Sequence, residues 1–451
     1  VNFPIFCPFG QTSNLRGPTH IASSVISIQP DVAGGAYSSI IEGSTAATTS
    51  RKMTLNTPDT IAANPEQFLK DLMSMSLADV RPENCVPAAL PPRPKGRTVV
   101  IGAGKASAAM AQAFERAWDG PLSGLVITRY GFALPCEQIE IVEASHPVPD
   151  AAGRDATARI MELAQTLGPD DLLVALISGG GSSLMIAPVE GVSLEDKQEV
   201  NRLLLKSGAD ITEMNCVRKH LSGVKGGRLA ALAAPAPLHC LMISDVPGDD
   251  PAVIASGPTV PDPTTLADAR DILRRYEIDP PASVTHALAD PANETPKPGD
   301  PAFETTVNEL VARPLQMLQT AEAEARRQGL NVINLGDRLE GEAREVAKAM
   351  AGIARSIQES GIPCAAPALL LSGGELTVTV RGNGAGGPNQ EFSLALAMAL
   401  EGRAGIYGIS CDTDGVDGNN DVAGAIIGPD TLSRGKGAGM SADDYLKSND
   451  A

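Results

Sequence analysis

The stretch Arg97–Met110 (RTVVIGAGKASAAM) constrains this chain more than any other. Thr98, Val99, Val100 and Ile101 are β-branched, as a buried strand prefers. Gly102 and Gly104 permit a tight turn and a close approach of backbone to a ligand. Ala106, Ala109, Met110, Ala113, Phe114 and Ala117 then recur at helical spacing. A helix entered from such a turn directs free N–H groups and its positive dipole end outward, which suits phosphate. Lys105 stands at that same end, where a cation is disfavoured unless an anion lies between them. The other reading of Lys105 is a solvated lysine on a first helical turn.

The same alternation continues along the chain. Strands are expected at 124–130, 139–145, 171–177, 240–244, 331–335, 368–371, 377–380 and 406–410, with helices between most of them. Several of these strands empty into Gly, Ser or Asp clusters. In open α/β sheets ligands bind outside the carboxyl ends of the strands. The expected fold is therefore α/β, with two Rossmann-like doubly wound domains facing a central cleft. The Pro- and Asp-rich stretch 280–301 reads as the boundary, giving domains over 53–290 and 300–451. Residues 1–52 are rich in Ser, Thr and Gly without sustained periodicity. They read as a disordered or non-native leader, with Met53 as the true start and no loss on deletion.

The net charge of -18 argues against a nucleic-acid surface, though not against small anionic substrates. The seven cysteines are scattered and contain no Cys-x-x-Cys, so neither a zinc site nor a disulfide framework is suggested. No apolar run approaches the ~18 residues a membrane helix needs. A cytoplasmic protein without membrane or nucleic-acid partners is the expectation, and the oligomeric state is left open.

Ser178-Gly-Gly-Gly-Ser-Ser183 (Ser178, Gly179, Gly180, Gly181, Ser182, Ser183) follows an apolar strand. Its consecutive N–H groups can form an anion nest, or the run is a tight turn without a ligand. Lys225 and Arg228 stand among glycines in 222–228, suited to carboxylate or phosphate, or else to a solvated basic face. Asp245 follows a buried strand directly, where a carboxylate is costly unless paired, metal-bound or working as a base. Asp412, Asp414 and Asp417 form a similar cluster. They do not match an EF-hand, because Val416 occupies the fifth position. A magnesium site made with substrate phosphates needs only one or two carboxylates, so Asp245, Asp412, Asp414, Asp417 and Glu375 are candidates. Gly102-x-Gly104 nearly matches a dinucleotide fingerprint, with Ser107 departing from it and Arg129 placed to meet a 2′-phosphate. It is not a Walker A loop.

Seven motifs occur in order: Gly102-Ala-Gly-Lys-Ala106, Ser178–Ser183, Ser244-Asp-Val-Pro-Gly-Asp249, Ala255-Ser-Gly-Pro-Thr259, Ser372-Gly-Gly-Glu375, Gly386-Gly-Pro-Asn-Gln-Glu391 and Asp412-Thr-Asp-Gly415. Over about 87–451 the chain resembles the class II glycerate 2-kinases, whose C-terminal part is called the MOFRL domain. Members are often labelled hydroxypyruvate reductase, and the family is linked to tartrate degradation. The resemblance implies ATP-dependent phosphorylation of D-glycerate to 2-phosphoglycerate with Mg2+. It places the active-site lysine on Lys105 and the conserved aspartate, as base or metal ligand, on Asp245. The Gly-rich and polar positions, Asn389 among them, become phosphate or substrate contacts. Two departures stand out. Pro388 replaces an arginine of the family, for which Arg381 is the candidate substitute. A C-terminal segment of the family pattern is absent, so the second domain is expected to lack a final strand. The alternatives are an NADP-dependent hydroxypyruvate reductase, motivated by Gly102, Gly104 and Arg129, and a truncated, inactive nucleotide-binding protein.

Overall fold

The computed structural model describes residues 20–28 and 58–451. Among these lie twelve strands: β1 His20–Ile28, β2 Thr98–Ala103, β3 Ser123–Arg129, β4 Ile139–Ala144, β5 Leu172–Ile177, β6 Leu238–Ile243, β7 Thr306–Ala312, β8 Asn331–Asn334, β9 Leu339–Glu342, β10 Ala368–Thr377, β11 Ile406–Asp412 and β12 Gly424–Ile427. The chain forms two compact units, one from residues 80–313 and the other from 20–28, 58–79 and 314–451.

The first unit holds a six-stranded sheet in the order β4-β3-β2-β5-β6-β7, with every pair parallel. Its central strands are apolar on both faces, as a sheet covered twice requires. Val99, Ile101 and Ala103 of β2 join Leu173, Ala175 and Ile177 of β5 under the helices Ala151–Gln165 and Arg228–Ala233. Val100, Val174 and Leu176 face the other way, against Met110, Ala111 and Phe114 of the helix Ser107–Ala117. The period-two split of neighbouring residues between two cores is what makes the sheet doubly wound. A separate helical layer packs Val200, Leu204, Val217, Ile272 and Val284 together.

This sheet takes in more sequence than expected. The stretch read as a linker folds as the helix Ala282–Ala289 and short turns whose prolines, Pro291 and Pro301, sit at helix starts. The unit ends with β7, so its boundary falls at Arg313 instead of near 290. Proline at the first helical position lacks only a donor that has no partner there.

The second unit departs further from expectation. Its sheet is mixed, with the path β12-β11-β1-β10-β8 and β9 added beside β10. β10 is parallel to β8 and β9, while β1 runs antiparallel to both β10 and β11, and β11 antiparallel to β12. This is not a second doubly wound parallel sheet. The inserted strand β1 comes from the segment read as a dispensable leader; the rest of residues 1–52 lies outside the described residues. Residues 372–375, read as a loop between two strands, lie within the continuous strand β10. Gly374, at φ +147°, brings β10 against β9, where a Cβ would meet the Leu339 carbonyl oxygen at 2.0 Å. The helices Ala343–Ser360 and Pro388–Leu400 close this core through Ala347, Met350, Ala354, Phe392 and Leu396.

Candidate active site

In the first sheet the strand order reverses between β2 and β5, because the chain runs out through β3 and β4 before returning to β5. The loops leaving these two strands are fastened to each other. The Lys105 amide donates to the Gly179 carbonyl at 2.8 Å, and the Ser178 amide to the Ala103 carbonyl at 3.2 Å. Ser178 Oγ accepts from the Ala106 amide at 3.0 Å and shares a hydrogen bond with Ser107 Oγ at 3.1 Å. Ala106, at the N-cap of the helix Ser107–Ala117, has no capping side chain of its own, so Ser178 supplies one from the neighbouring loop.

The glycines let these loops touch. A Cβ on Gly102 would meet the Leu176 carbonyl oxygen at 2.3 Å, and one on Gly104 the Ser178 hydroxyl at 2.1 Å. A Cβ on Gly181 would press on Ala255 and the Ala103 carbonyl. Gly102, Gly104, Ser178 and Gly181 are thus packing residues that shape the crevice from within.

Four other positions converge at its front. Lys105 Nζ lies 3.9 Å from Asp245 Oδ2, with side chains 9% and 30% exposed. A Cβ on Gly179 would sit 1.5 Å from that same carboxylate oxygen, so only glycine allows Asp245 to lie on the turn. On Gly180, at φ +80°, a Cβ would meet the His146 ring at 2.8 Å and the Lys105 stem at 3.3 Å. Lys105, Asp245, Gly179 and Gly180 are therefore brought together, at the ends of β2, β6 and β5. His146, just past β4, joins them. Sequence reading gave it no role, since nothing local marks it; its position at a strand's carboxyl end was the only signal.

Other expected contacts have different jobs. Lys225 is 2% exposed, and its Nζ donates to the carbonyls of Ser182 and Met185, each at 2.8 Å. Burial, and then the Arg218 charge, push it down to about 7. Arg228 donates to the Asn293 carbonyl at 2.6 Å. Ser182 Oγ bonds Ser256 Oγ at 2.7 Å, and Ser183 Oγ donates to the Gly180 carbonyl at 3.1 Å. The Arg129 guanidinium stacks on Phe132, 4.1 Å from the ring centre.

In the second unit, Asn389 is fully buried. It donates to Asp417 Oδ1 at 3.0 Å and accepts from Ser410 Oγ at 2.7 Å. Asp417, also fully buried, receives the backbone and side-chain N–H groups of both Asn389 and Gln390. It caps the helix Pro388–Leu400, at whose first position Pro388 is well suited. Asn389 and Asp417 are framework residues. Asp412 Oδ1 accepts from the Asp414 amide, and Asp414 Oδ1 from the Val416 amide, so each shapes its own turn. Glu375 lies in β10 opposite Glu340 of β9, and Arg381 on the exposed stretch beyond β10, its amide bonded to Asn449 Oδ1. Among the described residues no three His, Cys, Asp or Glu side chains are grouped to hold a metal ion.

Open α/β sheets with their polar groups at the switch point form a large class of small-molecule enzymes, and this chain is one of them. Residues 68–289 match the domain of unknown function DUF4147, and residues 368–451 match the MOFRL family. A protein of Agrobacterium vitis named "Putative hydroxypyruvate reductase" is 54% identical, over 85% of this chain and 88% of its own length. The D-glycerate 2-kinase of Thermotoga maritima is 40% identical over 86% of this chain and 93% of its own. A crystal structure of glycerate kinase from Thermotoga maritima superposes with a TM-score of 0.77, at 40% identity, covering 86% of this chain and 93% of that one. The chain belongs to the class II glycerate 2-kinase family and is a kinase by kinship and fold.

Proposed function

We propose that this chain phosphorylates the 2-hydroxyl of D-glycerate, with ATP as phosphoryl donor. The observation that carries the reading is the Lys105–Asp245 pair, held over Gly179 and Gly180 at the switch point. Phosphoryl transfer asks the protein mainly for positioning and charge stabilisation. Lys105, largely enclosed, sets a fixed positive charge where the transferring group's oxygens develop negative charge. Asp245, a third exposed and pressed on Gly179, is placed to take the proton of the attacking hydroxyl or to hold a cation. Magnesium fits this donor set: it takes one or two carboxylates and fills its remaining positions with phosphate oxygens and water. When bound, it would neutralise phosphate charge; Asp245 is the residue of this unit that would hold it.

The name of the Agrobacterium relatives motivates a second reading, a reductase of hydroxypyruvate. It asks Gly102 and Gly104 to receive a pyrophosphate and Arg129 a 2′-phosphate. Gly102 is enclosed by β5 and Arg129 is stacked on Phe132, which argues against it. The test is direct. Purified protein with D-glycerate, ATP and Mg2+ is expected to yield 2-phosphoglycerate by 31P NMR. Hydroxypyruvate-dependent NADPH oxidation without phosphorylation would overturn the kinase reading.

A further inference from the structure

We propose that Lys225 is a positioning residue for catalysis: it fixes the Ser178–Met185 loop from behind, and so the Gly179–Gly180 face on which Asp245 and Lys105 lie. The inference rests on the kinase reading for its kinetic test and on geometry for the rest.

Lys225 lies between the helices Ile211–His220 and Arg228–Ala233. Its ammonium reaches the two carbonyls near the end of the one-turn helix Gly181–Leu184, those of Ser182 and Met185. So short a helix leaves its carbonyls without following amides, and a buried donor must come from elsewhere. The front of the same loop touches Asp245 at Gly179, and His146 and Lys105 at Gly180. A shift at Ser182 therefore reaches the reacting groups within three residues.

The contact also closes a ring. Ser182 Oγ bonds Ser256 Oγ, and the Ser256 carbonyl accepts the amide of Gly226, the residue after Lys225. Three segments that are distant in sequence are thereby locked. One of them is strained: Ala255, Ser256 and Gly257 have φ of 49°, 61° and 60°, consecutive left-handed conformations that two non-glycine residues adopt only under constraint. The amides of Gly226, Gly227 and Leu229 hold this turn through the carbonyls of Ser256, Gly257 and Pro258. A buried amine bonded to carbonyls is an expensive way to fill space, whichever its protonation state. What it supplies that an apolar side chain cannot is two directed donors on one loop.

Two substitutions and two measurements test this. Lys225→Met keeps the length and loses both donors; Lys225→Arg keeps donors. Positioning predicts that Lys225→Met lowers kcat for ATP-dependent glycerate phosphorylation by about tenfold or more, with a smaller change in KM, and that Lys225→Arg recovers part of it. It also predicts at least about tenfold faster amide exchange at residues 181–185, with the strand β5 still protected. Ser256→Ala, which opens the ring from the far side, is expected to speed the same amides and serves if Lys225→Met fails to fold. A Lys225→Met enzyme that melts earlier but retains kcat within twofold, or loop amides that exchange at the wild-type rate in the folded variants, would overturn the assignment. If the wild-type protein phosphorylates no glycerate, the kinase reading fails and the exchange measurement still decides this one.

Discussion

Lys105 illustrates how much a single charge is asked to do. Its neighbours are a carboxylate at 3.9 Å and glycine turns, so its removal takes away a preorganised charge without opening the sheet. Losing a contact of this kind typically costs about 10²–10³ in turnover, or roughly 2.7–4 kcal/mol. Lys105→Ala is expected to lose that much in kcat while keeping the wild-type circular dichroism spectrum. Gly179→Ala should also be nearly inactive, because a methyl group there would displace the Asp245 carboxylate. Lys225 makes a different prediction. It is held at about 7 in the fold, against ~10.4 when unfolded. Between those values the unfolded chain binds the extra proton, so this residue's contribution to stability rises with pH above 7, and its burial cost is fully present only below 7. Melting curves at pH 6 to 9 should show the wild type gaining on Lys225→Met as pH rises; a constant difference would mean that Lys225 does not titrate there. The role of Lys225, unlike that of Lys105, was not legible in the sequence. A lysine among glycines reads as an anion contact, and the carbonyls it meets, 40 and 43 positions away, leave no local trace.

Elements were easier to read than partners. The strands β2 and β5 announced themselves as β-branched or continuously apolar runs, since both faces are covered. β7 escaped notice because its residues Thr306–Ala312 are exposed or half-buried up to Ala312, as befits an edge. β10 was misread as two pieces because Gly373 and Gly374 look like a turn, when close approach of β9 is what requires Gly374. At the base of the first sheet, Asp171 ties the entry of β5 to that of β2. The Arg97 side chain, then the backbone amides of Arg97 and Gly168, hold its carboxyl down at about 2. Its stabilising effect is present above the unfolded value of ~3.9 and lost as pH falls through about 2. Asp171→Asn should therefore destabilise the protein at pH 7 and make progressively less difference below pH 4, as thermal melts would show.

At the scale of the whole molecule, what the sequence concealed is that the second unit is not one continuous stretch. Its sheet incorporates β1, with Ile28 opposite Ala368 and Ile406. The short apolar pieces of β1, broken by Ser23, Ser24 and Ser27, carry too little run to stand out among the Ser- and Thr-rich residues around them. Deleting residues 1–52 would leave β10 and β11 with unpaired facing edges. The shortened protein is expected to melt lower and to aggregate, measured by light scattering; unchanged melting would restore the reading of a dispensable leader.

The placement of β1 also bears on how the molecule is made. Roughly 340 residues separate Ile28 from its partner Ala368. At a synthesis rate of about 5–20 residues per second, that is some 17–68 s on the ribosome. Throughout that interval the strand is made and has nothing to pair with, while all of residues 80–313 emerges and can condense. Its seat exists only once β10 and β11 are both synthesised, so a nascent-chain chaperone has a long opportunity on a segment that is made well before its partners and placed only after them.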